Sequence, residues 1–251
     1  MAGLFTIQSA VALLTLTILE IVLGVDNIIF LAIVTQDLPR EQQPLARKLG
    51  LGLALLGRVA MVLGVSWLLR LQTTLFSALG HGFSVKDIIL LAGGLFLTYK
   101  AVTEIYKTTE LKEDPESAPK AANKGMTLAA TILQVAVVDM VFAIDSVLTA
   151  VGLTNLTVLI IVAMTIAILV MMFYAGKLSD FIHEHPSLKV LALAFLVLVG
   201  VLLISDSFGR EIDRTYVYFA ILFSLGVEAL NFRRQRNAEL KRAVEAQDAS
   251  A

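Results

Sequence analysis

Two stretches decide the fold: Glu20-Ile-Val-Leu-Gly-Val-Asp26-Asn27 and Asp139-Met-Val-Phe-Ala-Ile-Asp145-Ser146. They align without a gap, acid on acid at both ends of the spacing, and each lies inside a long apolar run. A carboxylate at the centre of a membrane helix costs roughly 2.5 to 3.5 kcal/mol on insertion scales, so Glu20, Asp26, Asp139 and Asp145 together oppose insertion by about 10 to 14 kcal/mol unless neutralised or hydrated. A cost of that size points to a task. Its repetition points to a duplicated architecture.

Working outward, the chain has 251 residues, 57% of them hydrophobic and 16% charged, with a mean hydropathy of +0.82. Soluble domains carry about 25% charged residues, so the composition rules out disorder and disfavours a water-soluble globule. A net charge of -1 gives no electrostatic case for a nucleic-acid partner. The absence of cysteine removes disulfides, thiolate catalysis and soft sulfur metal sites.

Seven apolar stretches stand out, at about 8–34, 49–69, 88–106, 125–152, 154–176, 190–206 and 215–232. Each approaches the roughly 20 helical residues needed to cross a hydrocarbon layer. The first has no basic start and holds Glu20, Asp26 and Asn27, so it reads as a retained helix rather than a cleaved signal peptide. Lys and Arg in alternate gaps number 14 on one side and 4 on the other. Because positive residues stay cytoplasmic, the expected arrangement in a bacterial-type inner (plasma) membrane is N-terminus outside, C-terminus inside. Trp67, Tyr99, Tyr106, Tyr174, Tyr216 and Tyr218 fall near predicted span ends, where amphipathic rings favour the interface.

The expected fold is an all-α polytopic membrane protein of seven transmembrane helices, an inverted 3+3 repeat plus one C-terminal helix. A first three-helix repeat occupies 1–106, a polar cytoplasmic linker 107–126, a second repeat 127–208, the seventh helix 209–232 and a basic cytoplasmic tail 233–251. With three spans per unit, the first runs inward and the fourth outward, so the units are inverted. The third and sixth spans pair less securely, through Gly94 and Gly200.

On an ideal helix, residues six apart differ by 120° in direction and by about 9 Å along the axis, so Glu20 and Asp26 cannot both grip one small ion from an unbroken helix. Either a helix break near Gly24 shortens the distance, or one site draws on both repeats. The inverted two-fold favours the second, bringing Asp26 and Asn27 toward Asp145 and Ser146 near the midplane. Carboxylate, amide and hydroxyl oxygens, with His81, His183 and His185 outside the spans, suit a hard divalent cation such as Mn2+, Mg2+ or Ca2+ over Zn2+ or Cu2+. The competing reading is that the acids pair with Arg58 or Lys100 and merely hold the bundle together. Two cations cannot neutralise four acids, and Lys100 has its own i+4 partner in Glu104.

At this point the chain resembles the TerC family of integral membrane proteins. The resemblance rests on Leu19-Glu-Ile-Val-Leu-Gly-Val-Asp-Asn-Ile-Ile-Phe30, Gly93-Gly-Leu-Phe-Leu, Val138-Asp-Met-Val-Phe-Ala-Ile-Asp-Ser146 and Phe219-Ala-Ile-Leu-Phe-Ser-Leu-Gly-Val-Glu228-Ala-Leu-Asn231, and covers about residues 5 to 232. The family is linked to manganese efflux and, by name, to tellurite resistance. The likeness implies that Glu20, Asp26, Asn27, Asp139, Asp145 and Ser146 handle the ion, and that the ion is manganese.

Other candidates carry weaker signals. Arg58 reads as a charge partner that makes the empty site tolerable, and Glu228 as either a mouth or proton-relay residue or an ordinary interfacial carboxylate. His183-Glu184-His185 reads as a short solvated loop in preference to a metal-capture site. Arg233, Arg234 and Arg236 read as contacts to anionic lipid. Gly50, Gly52, Gly57 and Gly64 suggest close helix packing.

Three functional classes follow. The first is a secondary exporter of a divalent cation, with no permanently bound cofactor. Four acids exceed a divalent ion's two charges, so loading is expected to release protons, with Glu20 and Asp139 as proton carriers and Asp26 and Asp145 gripping metal. The second is an intramembrane aspartyl protease, disfavoured because neither motif shows a Gly-x-Gly-Asp signature. The third is an accessory protein that supports metalation or the maturation of membrane or secreted proteins. No Gly-x-x-x-x-Gly-Lys loop is present, so uphill export would draw on an ion gradient or the membrane potential. The chain is expected not to be an enzyme.

Overall fold

A computed structural model describes residues 6–78, 80–109, 127–154, 156–210 and 212–248. Most of the linker expected at 107–126 lies outside them, and its first residues finish a helix. The described elements are α1 (Ile7–Leu23), α2 (Val25–Gln36), α3 (Gln43–Leu63), α4 (Val65–Arg70), β1 (Thr74–Ala78), β2 (His81–Ser84), α5 (Val85–Thr109), α6 (Leu128–Leu153), α7 (Thr157–Glu184), α8 (Pro186–Ser207) and α9 (Arg214–Asp248).

Local chemistry sets the helix starts. The Thr6 hydroxyl accepts from the Ser9 N–H at the head of α1, and Thr127 does the same for Ala130 at the head of α6. A reciprocal cap opens α5: the Ser84 N–H donates to Asp87 Oδ2 at 2.8 Å while the Asp87 N–H donates back to Ser84 Oγ at 3.3 Å. Pro186 begins α8, where its missing N–H costs nothing.

Among the described residues, six helical segments are long and apolar enough to cross a membrane: Ile7–Gln36, Val85–Thr109, Leu128–Leu153, Thr157–Glu184, Pro186–Ser207 and Thr215–Arg234. The expected second span is not among them. Its helix, α3, begins earlier than expected, and every 18-residue window of it contains Arg47, Lys48 and Arg58. Apolar side chains face outward along the helices, among them Leu14, Ile18, Leu56, Leu133, Leu169 and Phe173, each more than half exposed. An apolar solvent suits such a surface and water does not.

The chain divides into two compact units, Met1–Glu211 and Ile212–Ala251. In the first, α2 is the buried centre, its Phe30, Leu31 and Val34 packing in one core with Leu90, Met171 and Leu193. Helices α5 and α8 approach backbone to backbone. A Cβ added at Gly94 would stand 2.7 Å from the Gly200 carbonyl, and one added at Gly200 would meet the Thr98 hydroxyl and lie 3.0 Å from the Gly94 carbonyl. Small residues permit that approach between membrane helices.

Two features depart from the expected organisation. Between α4 and α5 the chain forms an antiparallel hairpin, β1 with β2, where a purely helical fold was expected. Gly80, at φ +78, makes its turn, and Phe83 stacks on Phe76 and meets Phe208 edge-on. In the second unit the basic tail expected at 233–251 is not a separate segment, because α9 continues through it to Asp248. At the head of α9 the exposed Asp213 carboxyl is held below its usual range by the Thr215 hydroxyl and N–H, the latter 2.8 Å away.

Candidate functional site

The first acidic run is broken and the second is not. Gly24 ends α1, its N–H bonding to the Glu20 and Ile21 carbonyls, and its own carbonyl accepts from the Ile28 N–H as α2 begins. Space explains the glycine: a Cβ there would sit 2.6 Å from Met171 Sδ on α7 and 2.9 Å from the Glu20 carbonyl. The break lets Glu20 at the end of α1 and Asn27 in the first turn of α2 serve one site. In α6, by contrast, Asp139, Asp145 and Ser146 lie on one continuous helix.

Arg58 of α3 joins the two runs. Its Nε and Nη2 donate to Asp139 Oδ2 and Oδ1, both at 2.9 Å, in the two-pronged geometry that suits a guanidinium. Its Nη1 donates to Glu20 Oε2 at 2.7 Å and, more weakly, to Ser146 Oγ at 3.4 Å. Asn27 Nδ2 donates to Asp139 Oδ1 at 2.8 Å. These five side chains are no more than 5% exposed. The Asn27 Oδ1 is buried and accepts no hydrogen bond among the described residues, which leaves a hard carbonyl oxygen open beside the acids. The Arg58 guanidinium within hydrogen-bonding distance makes the burial of Glu20 and Asp139 tolerable.

The second acid of the second run is held differently. Lys86 Nζ, from the first turn of α5, lies 2.7 Å from Asp145 Oδ1, with the two side chains 22% and 19% exposed. In the sequence Lys86 is one of the basic residues between the expected second and third spans. Its spacing from Asp145 gives no local pattern, so nothing in the sequence marks the pair. Asp26 occupies the first turn of α2, one residue before Asn27, and its Oδ1 is buried.

The remaining candidates fall elsewhere. Lys100 pairs with Asp37 at 3.3 Å, not with the motif acids and not with Glu104. Glu104 instead takes Lys189 at 3.1 Å and Lys107 at 3.7 Å. Lys189 from α8 and Lys107, three residues further along α5, outcompete the lysine four residues before it. His183 and His185 do not converge: His183 Nε2 is 3.4 Å from Arg40 Nη2, while His185 Nδ1 is 2.9 Å from the Phe181 carbonyl. Glu228, in the second unit, accepts from Asn231 Nδ2 at 3.2 Å. Among the described residues no three His, Cys, Asp or Glu side chains form a cluster that would hold a metal ion. Glu20 and Asp139 are occupied by Arg58, and Asp145 by Lys86.

A helical bundle with an apolar exterior and a dry ion-pair network at its centre is an integral membrane protein with a buried ionic site. The sequence matches the Integral membrane protein TerC family over residues 5–242, and the chain belongs to that family. It is 44% identical over 229 residues to the UPF0053 inner membrane protein YgdQ of Escherichia coli (strain K12), covering 91% of this chain and 94% of that one. It is 45% identical to a UPF0053 protein of Haemophilus influenzae over 91% of this chain and 95% of the relative. To the E. coli inner membrane protein YoaE it is 39% identical over 225 residues, 90% of this chain but 43% of that longer protein. No solved structure matches.

Proposed function

We propose that the protein is a secondary transporter that exports a hard divalent cation, with Mn2+ the first substrate to test, in exchange for protons. One observation carries the reading: the first acids of both motifs, Glu20 and Asp139, grip a single buried guanidinium with Asn27 and Ser146 beside it. Arg58 stands where a cation would otherwise be needed, so it serves as the counter-ion of the empty site. The oxygen donors are those a hard divalent ion takes, and Asn27 Oδ1 is one such donor not yet engaged. On loading, carboxylates that held protons release them. We assign metal binding to Asp26, Asn27, Asp145 and Ser146, and proton carriage to Glu20 and Asp139.

Within this reading α3 is the second of seven spans, its Arg58 neutralised by the acids it meets. The inverted repeat is supported by two pairings of aligned residues: Glu20 and Asp139 share Arg58, and Gly94 touches Gly200. The location is the inner membrane, as the name of YgdQ states for that relative. The topology is tested with cysteines introduced near Glu116, since the chain has none of its own. They should resist membrane-impermeant thiol reagents in intact cells, and labelling there would defeat the inverted arrangement.

The deciding experiment is a metal panel of Mn2+, Mg2+, Ca2+ and Zn2+ offered to inside-out vesicles with and without a pH gradient. Accumulation of Mn2+ that collapses with the gradient is the expected result. Vesicles that accumulate none of these metals would leave the accessory-protein reading.

A further inference from the structure

Solvent reaches the two halves of the ionic site unequally. Glu20, Asp139 and Arg58 are 2% to 5% exposed at the side chain, whereas Lys86 and Asp145 are 22% and 19% exposed. Asp145 is followed directly by Ser146, which receives a hydrogen bond from Arg58, so one residue step on α6 leads from the wet pair to the dry network. In the expected topology this is the outer side, so an exported ion passes Asp145 after Glu20 and Asp139, the acids that Arg58 holds.

Lys86 is fixed at its backbone, and its tip is held by the ion pair with Asp145. Its N–H donates to the Leu71 carbonyl at 3.0 Å, and the reciprocal Ser84–Asp87 cap anchors the first turn of α5 around it. Lysine carries its charge as a compact ammonium on a four-carbon stem with many rotamers, unlike the planar guanidinium of Arg58. At 2.7 Å from Asp145 Oδ1, the ammonium occupies the space a bound cation would take, and two positive charges so close repel each other even at a partly exposed site, where the effective dielectric is well below that of bulk water. Binding of one therefore requires departure of the other.

We infer that Lys86 is the gating counter-ion of the transport site, a tethered ammonium that leaves Asp145 when a divalent cation binds there and returns to displace that cation on release. This inference rests on the transport reading above and adds to it a residue that competes with the substrate. The competition weakens equilibrium binding and speeds release.

The test uses the full-length protein and Mn2+ alone as probe. Replacing Lys86→Met should tighten Mn2+ binding roughly twofold to fivefold, the range for losing a partly screened ion pair, while turnover in proteoliposomes falls because release loses its competitor. Lys86→Arg, which keeps the charge, should hold affinity near that of the parent. A purely structural lysine would instead lower melting temperature and turnover with no gain in affinity, and unchanged or weakened Mn2+ binding in Lys86→Met overturns the proposal. An independent measurement needs no variant. Amine-reactive labelling of Lys86 in the unaltered protein, followed by mass spectrometry, should quicken when Mn2+ is added, and equal rates would also overturn it. A parent protein that neither binds nor moves Mn2+, Mg2+ or Ca2+ defeats the transport reading itself, an outcome distinct from a Lys86 variant that behaves like its parent.

Discussion

In the first motif Gly24 divides the run into α1 and α2, whereas in the second Ala143 takes the aligned position inside the unbroken α6. The two runs carry the same spacing of acids, yet the backbone beneath them differs. Met171 presses against Gly24 and leaves no room for a Cβ, while Ala143 is itself fully buried in a regular helix. The same spacing thus serves two purposes. The broken copy turns Glu20 and Asn27 toward one partner, and the straight copy spreads Asp139 and Asp145 between two cations, Arg58 and Lys86.

Removing the shared partner should erase the comparison altogether. Arg58→Met leaves Glu20 and Asp139 buried without their common cation, a loss of about 3 to 5 kcal/mol, and should collapse the yield of folded protein in a detergent thermal-unfolding assay. Next in size is a split between acids. Asp26→Asn and Asp145→Asn should abolish Mn2+ flux yet leave folded protein in the membrane, because removing a charge there lowers insertion cost. Glu20→Gln and Asp139→Asn should lose flux and stability together, since each also strips a partner from Arg58. Normal flux in either Asp26→Asn or Asp145→Asn would show that carboxylate to be structural.

The backbone difference is sharpened by exchanging the two residues that mark it. Gly24→Ala drives a methyl into Met171 and should destabilise by about 1 to 3 kcal/mol, read as a lower melting temperature. Ala143→Gly in the straight copy should cost roughly 0.5 to 1 kcal/mol through helix propensity, with a modest addition for the lost methyl. The smallest effect belongs to a pair outside both motifs. Lys100→Gln, which breaks a partly exposed contact with Asp37, should change stability by less than about 1 kcal/mol and leave Mn2+ flux unchanged.

How much of this was legible in the sequence follows from how local each signal is. Long apolar runs announce membrane helices directly, and a lone arginine opposite buried acids suggests its own pairing. Gly94 and Gly200 could be matched because both sit in recognisable spans. The hairpin escaped notice: strands of five and four residues, joined through the Gly80 turn, are too short to show against neighbouring spans. Lys86 escaped because a lysine at the head of a span reads as an interface charge, and only the packing of α5 beside α6 shows that it reaches Asp145. Lys100 misled for the opposite reason, since a favourable i+4 pattern was outbid by partners from distant elements.

The guanidinium clasp has a consequence for how the chain is made. Glu20 precedes Arg58 by 38 residues, and Arg58 precedes Asp139 by 81. At a synthesis rate of about 5 to 20 residues per second, the first helix waits roughly 2 to 8 s for its cation, and that cation waits a further 4 to 16 s for its second acid. During biosynthesis, then, α1 and α3 are poor lodgers in lipid when alone. Once α3 emerges, Glu20 and Arg58 can neutralise each other, and α6 then brings the second acid, which makes assembly of this bundle a timed event as much as a geometric one.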